Sequence, residues 1–345
     1  MTNIAYLPIT ITNNQTTATG ANFPQQIVID SSTYSSYEAS DLSNVYFSSD
    51  TAGSNIINSI GESGLTNSST STIYWVLLAS SLAASGGSTT IYMQFATTST
   101  NVKNSTTSGM APTWATGTYG QYDNSTTIFT DYDNFSGTAL NATKWGTVTN
   151  EGTFTATVNN GLTVTADTSS AGYIYVKSSY TAPVYIDCLC TYSSTGGAPN
   201  VGFGLTTTST FTSSGNSAQG PPSNYQVFFD GTSAGGINYN SSNSTNTVAS
   251  SNYTTGEVSS FAWISGPHEY WNQNYTNILS ETDSTVTFAS TLYGFLFSSN
   301  GAYTSALAVQ WYRVRIVPPN NVMPAQTNGS IVVPRYYFTK KGGYL

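Results

Sequence analysis

Phe129-Thr130-Asp131-Tyr132-Asp133-Asn134-Phe135-Ser136-Gly137-Thr138-Ala139-Leu140-Asn141-Ala142-Thr143-Lys144-Trp145 separates two long runs of strand-like sequence and matches neither. Before it, a Ser/Thr/Gly-rich stretch from Ala96 to Gly120 interrupts the apolar alternation. After it, short alternating segments resume at once with Thr153 to Val158. A seam between two β domains follows, and 345 residues give each enough chain to bury its own core. The fold class expected is all-β: two tandem antiparallel β-sandwich domains, jelly-roll-like, at 1–125 and 126–319, with an extended C-terminal tail at 320–345.

On the near side of the seam, Tyr6 to Asn13 sets Ile9 and Ile11 against threonines, and Pro8 suits an edge or a strand start. Strands are expected at 26–30, 44–48, 72–79 and 89–96, with a loop at 80–88. On the far side they are expected at 161–166, 171–177, 183–192, 201–206, 225–230, 260–265, 285–290, 292–298 and 308–317. No stretch holds a sustained 3.6-residue period.

Two resemblances sit on these residues. Tyr6 to Asn13, Val45 to Gly53, Ile73 to Val76 and Thr89 to Phe95 resemble a domain of unknown function found in archaeal and bacterial surface proteins. Phe95-Ala96 stands where that family has a tyrosine-glycine pair. The seam resembles the "D-x-F-S-G-x-L-x-x-x-K-W" opening of concanavalin A-like (laminin G-like) jelly rolls, and Gln310 to Arg315 resembles their closing "D-W-x-R-V-R" strand, with Gln310 for the acid. The resemblance implies a jelly roll in the second domain; neither family brings a catalytic set to these positions.

Charged residues are 7% of the chain and aromatics 13%, against ~25% charged in a typical domain, so disorder is excluded. Sixteen carboxylates and eight Lys/Arg give a net charge of −8. Few carboxylates leave little to titrate, which predicts small stability changes between pH 7 and 3 and suits either an acidic medium or a neutral glycosylated surface. Nucleic acid is excluded as a partner, because no Lys or Arg lies between Ser178 and Tyr312. Cys188 and Cys190, two apart on a strand, share a face. An i,i+2 bridge is strained, so they are expected as buried free thiols, with no metal site and no cofactor.

Met1-Thr-Asn-Ile carries no basic or long apolar leader, and no segment reaches a membrane span. Sequons at Asn14, Asn67, Asn104, Asn124, Asn134, Asn141, Asn240, Asn243, Asn252, Asn274 and Asn328 nevertheless suit an extracellular surface or virion. A virion protein displayed after release reconciles the two; a renumbered mature fragment is the other account. In the tail, Ile331, Val332, Val333, Tyr336, Tyr337 and Phe338 form an apolar strand outside the jelly roll. It reads either as a frayed end or as a strand that docks on its own domain or on a neighbouring copy.

Catalysis is not expected. Retaining glycosidases of this fold carry an E-x-D-x-x-E pattern that sets two carboxylates ~5 Å apart, and no such pattern occurs. His268 is the only histidine. It opens His268-Glu269-Tyr270-Trp271-Asn272, read as a loop after Gly266-Pro267, whose rings and polar groups are the mixture sugar recognition uses; packing is the competing role. Arg313 and Arg315 are expected to face solvent beside Trp311, or else to meet a carboxylate or a partner. The function expected is a non-enzymatic structural protein of a surface assembly, a virion coat or spike protein or an archaeal surface filament, partnered by its own copies or other surface proteins. The alternative is a lectin-like, carbohydrate-binding adhesion module that meets cell-surface glycans.

Overall fold

The computed structural model describes residues 3–113, 117–195, 200–213, 220–230, 234–241, 245–266, 268–300 and 303–334. The chain forms two compact units, residues 1–128 together with 318–345, and residues 129–317. No helix among the described residues is long and apolar enough to cross a membrane.

The first unit contains β1 (Asn3–Asn13), β2 (Phe23–Ile29), β3 (Val45–Ser48), β4 (Ser59–Ser63), β5 (Thr72–Leu78), β6 (Gly87–Ala96) and β7 (Ser108–Met110). In β1 Ala5, Leu7, Ile9 and Ile11 are fully buried while the residues between them are not, the period of two that a half-buried strand requires. The strand pairs with β6 along its whole length. The four inward side chains meet Ile27, Ile29 and Val76 of the opposing sheet β2-β5-β4-β7.

The second unit contains β8 (Asp131–Asp133), β9 (Trp145–Glu151), β10 (Phe154–Val158), β11 (Leu162–Ala166), β12 (Ser170–Val176), β13 (Tyr180–Thr181), β14 (Val184–Ser194), β15 (Asn200–Thr206) and β16 (Asn224–Asp230). It continues with β17 (Ala234–Asn240), β18 (Thr245–Asn252), β19 (Val258–Ile264), β20 (His268–Gln273), β21 (Thr276–Thr282), β22 (Thr291–Asn300) and β23 (Ser305–Ile316). One sheet runs β10-β11-β23-β14-β19-β20-β21 with β8 beside β23. The other runs β18-β17-β16-β15-β22-β12-β9 with β13 beside β22. Ile186, Val201, Phe203, Val227, Phe261 and Leu296 pack between them. Cys188 and Cys190 lie in this core as free buried thiols, and burial pushes the Cys190 thiol up to about 12.

The chain then returns to the first unit. The described part of the tail forms β24 (Ala325–Asn328), antiparallel to β1 from Ile9 to Thr12, and Val332 bridges Tyr6 further along. Pro8 therefore does not lie on an edge. Three tail residues stand opposite two of β1 at that point, so the missing proline N–H falls at an irregularity, and Pro8 O accepts from Gly329 N at 2.8 Å. Gln326 closes the flank of the sandwich: its Oε1 accepts from Val28 N and its Nε2 donates to Val28 O, both at 2.9 Å. Ile331 packs against the core, whereas Val333 is exposed. Tyr336, Tyr337 and Phe338 lie outside the described residues.

Three further expectations are corrected. Residues 285–290 are irregular rather than a strand, because Val286 turns inward and its N–H meets the Tyr225 hydroxyl at 3.2 Å. The stretch 268–273 is strand β20 rather than a loop. Arg313 and Arg315 do not face solvent; both are buried, and both donate from Nε to Asp187 Oδ2, at 2.8 and 2.7 Å. Arg313 lies between the Phe129 and Trp311 rings, 4.4 and 4.6 Å from their centroids, and Arg315 lies 4.2 Å over Tyr185. Burial pushes the Asp187 carboxyl up, and the two guanidiniums more than reverse it, leaving it below the usual range. Asp187→Ala strands two buried cations and should cost about 3–5 kcal/mol in the unfolding of this unit. Chemical denaturation checks it, and a loss under 1 kcal/mol would show that water reaches the pair.

Candidate functional site

The seam residues build one end of the second unit. Asp131 and Asp133 sit on β8, and the side chains that hold them come from Lys144 and Trp145 at the other end of the same stretch. Lys144 Nζ donates to Asp131 Oδ1 at 2.6 Å and to Tyr132 O at 2.8 Å; Trp145 Nε1 donates to Asp133 Oδ2 at 2.7 Å. Asn141 turns the chain between them, its Oδ1 accepting from Thr143 N and Lys144 N. Buried Trp145 packs edge-on to Tyr312 at 5.1 Å and against Phe135 at 5.5 Å. The D…K-W spacing is thus a local clamp: two acids, then a cation and an indole that reach back to them.

From the far side of the fold, Tyr180 of β13 donates its hydroxyl to Asp131 Oδ2 at 2.6 Å. Burial holds that phenol far above its ordinary range, so it stays a donor. The residues before and after it complete an open groove of about 810 Å³. Its floor holds the Asp131–Lys144 pair, and its sides carry Asn141 and the exposed hydroxyls of Ser178, Ser179 and Thr181. Val184 and Ile316 supply apolar wall. The volume falls in the range of small-ligand sites, and a few polar groups converge on an otherwise mixed surface. No group of acids, His and Cys that could hold a metal ion occurs among the described residues.

The five residues expected to bind sugar, His268 to Asn272, lie elsewhere, on β20. In β20, His268 and Tyr270 are half-buried, with Thr282 Oγ1 and His268 Nδ1 2.9 Å apart. Glu269 and Trp271 point inward and are fully buried, Trp271 in the core with its Nε1 donating to Ser259 Oγ. Asn272 donates to the Tyr185 hydroxyl. Strand alternation splits the five residues between two faces, so they form no single platform.

Glu269 has a second neighbour that spacing did not reveal. Its Oε2 accepts from Asp283 N at 3.2 Å, and Asp283 in turn accepts from the Tyr225 hydroxyl. Burial pushes the Glu269 carboxyl up to about 8, while Asp283, pulled upward by burial, is brought below its ordinary value by the Tyr225 and Thr285 hydrogen bonds.

Of the sequons, Asn14, Asn141, Asn252, Asn274 and Asn328 are exposed, and Asn67, Asn104 and Asn134 are half-buried. Asn124 and Asn240 are buried, with no room for a glycan. Asn243 lies outside the described residues.

No family model matches the sequence, and no curated protein does. Among solved structures, the chain is similar to an endo-β-1,3-glucanase from Pyrococcus furiosus, at 13% identity over 54% of this chain and 93% of that one, with a TM-score of 0.41. It is also similar to the Emp47p carbohydrate recognition domain (10% identity, 52% and 91% covered, TM-score 0.39) and to a family 16 endo-glucanase from Bacteroides ovatus (14%, 53% and 99%, 0.37). These likenesses extend over about half of the chain. Glucanases and a carbohydrate recognition domain stand where a virion coat, spike or filament protein was expected, and that expectation is corrected. Of the expected tail strand, Val332 bridges Tyr6 of β1 in the same chain. The expectation of a protein without catalysis is corrected with it. Glu269 and Asp283, 14 positions apart, lie outside any E-x-D-x-x-E pattern and meet through the Asp283 N–H.

Proposed function

We propose that the second unit is a carbohydrate-binding, lectin-like module displayed outside the cell, and that the groove over Asp131 and Lys144 holds the sugar. The groove itself carries the reading: an open, sugar-sized space whose floor offers a fixed carboxylate and ammonium and whose sides offer hydroxyls, an amide and two aliphatic faces. Polyhydroxylated rings need that combination, hydrogen bonds in the ring plane and apolar contact to the C–H faces. The exposed sequons and the low surface charge suit an extracellular setting.

A glycan array probed with the whole chain is the test. Selective binding is expected, together with its loss in Ser179→Trp, which fills the groove from an exposed position and should leave the unfolding midpoint unchanged. Binding that survives the tryptophan moves the site elsewhere; an array without signal removes the reading.

A second reading, glycan hydrolysis, rests on Glu269 and Asp283. Neighbouring carboxyls with opposite shifts divide into an acid and a base. Release of reducing ends from a β-1,3-glucan, abolished in Glu269→Gln, would support it; equal rates in the two proteins would remove it.

A further inference from the structure

We infer that the ligand of this groove is an acidic glycan, one that carries a carboxylate or sulfate, with Lys177 as the cation that reads it. The inference rests on the carbohydrate reading above and adds the class of sugar. Lys177 is exposed and immediately precedes the groove residue Ser178. Its backbone N–H donates to Lys144 O at 2.8 Å, and its Nζ reaches across to Ala142 O at 2.6 Å, beside the lining residues Asn141 and Thr143. The ammonium is thus fixed at the rim by one carbonyl, with two N–H groups left for a ligand.

The charge count around it decides the sign. Asp131 is the only carboxylate among the lining residues, and its two oxygens are already taken by Lys144, Tyr132 N and Tyr180. That pair is neutral, so Lys177, which adjoins the lining residue Ser178 without lining the groove itself, adds one positive charge beside it. Elsewhere among the described residues, Arg313 and Arg315 are buried on Asp187, and Lys103 is buried in the first unit with its Nζ on Val45 O and Ser108 Oγ. Lys177 is the one exposed cation of the described residues without a carboxylate partner. Among the described residues, that cation stands beside the groove. An anionic substituent at the rim gains Lys177 and keeps the ring hydroxyls over Asn141, Ser178, Ser179 and Thr181; a neutral sugar gains only the latter.

The probes are oligouronates from pectin, alginate and hyaluronan, each paired with its carboxyl-reduced counterpart, on one array with the neutral glycans, followed by titration of the best pair. Wild type is expected to bind the acidic member about tenfold more tightly at low salt, an advantage that shrinks as salt rises. Lys177→Gln should lose about fivefold for the acidic member and nothing for the reduced one, at an unchanged unfolding midpoint. Equal affinity for the two members, or indifference to Lys177→Gln, overturns the inference and leaves the groove as a neutral-sugar site. Inorganic sulfate binding as tightly as the oligouronate overturns it too, by showing a simple anion site. If no glycan of either kind binds, the underlying reading falls as well.

Discussion

A chain cut after Asn321 is expected to keep the unfolding transition of the second unit and to lose that of the first. The cut removes β24, the Tyr6–Val332 bridge and the Gln326 clamp on Val28 together, opening β1 along one side and parting the two sheets at that flank. Several backbone hydrogen bonds at about 1 kcal/mol each, with the apolar cover of Ile331, sum to roughly 5 kcal/mol, comparable to the whole stability of a domain this size. Gln326→Ala isolates the clamp: it hands the exposed Val28 N–H and C=O over to water and should cost about 1 kcal/mol in the first unit alone. Calorimetry of the truncated chain decides. Two undiminished transitions would show that residues 322–345 contribute nothing to the fold.

Acidification from pH 7 to pH 5 should stabilise both units, by on the order of 2 kcal/mol each, or about 5 °C in each midpoint. Each unit holds one buried glutamate whose carboxyl is raised, Glu38 in the first and Glu269 in the second. Burial raises Glu38 and Glu269 from an ordinary 4.5 to about 8; hydrogen bonds from Ser31 and from Asp283 N–H offset only part of it. Such an acid holds its proton more tightly folded than unfolded. Stability therefore falls as pH rises from 4.5 towards 8, and lowering the pH restores it. Lys103, which burial brings down to about 7, acts oppositely but only between there and its unfolded value of 10.5. The depressed aspartates, Asp187 among them, lose their contribution only below 3.8. Glu38→Gln should flatten the pH 5–7 response of the first unit and Glu269→Gln that of the second. A midpoint that drops on acidification over this window would falsify the assignment. The scarcity of carboxylates suggests near-indifference to pH; the raised carboxyls of Glu38 and Glu269 give the slope its sign.

What the sequence disclosed was local. The alternation of Ala5, Leu7, Ile9 and Ile11 announces β1 and its buried face, and the seam from Phe129 to Trp145 carries its own clamp within 15 residues. What stayed hidden depends on partners far along the chain or on a broken pattern. β20 carries a buried carboxyl at Glu269 where an apolar residue was needed to reveal alternation, and β17 begins Ala234-Gly235-Gly236, which reads as a turn. Arg313 and Arg315 look like solvent residues until Asp187, more than 120 positions away, is placed beside them. Half of the groove shared this fate: Ser178 to Ala182 falls between two expected strands, and only the fold brings it to the same groove as Asp131.

The second unit leaves its sheet next to where it entered. Thr130 N donates to Val314 O at 3.0 Å and β8 lies antiparallel to β23, so the incoming and outgoing chains run side by side in one pair of strands. A module whose two ends, β8 and β23, lie side by side can be exchanged for another without changing the strand order of the host. The first unit is closed by a strand that arrives after the insert, so its sheet is completed only once the whole second unit has been threaded, and the inserted unit becomes an exchangeable cassette.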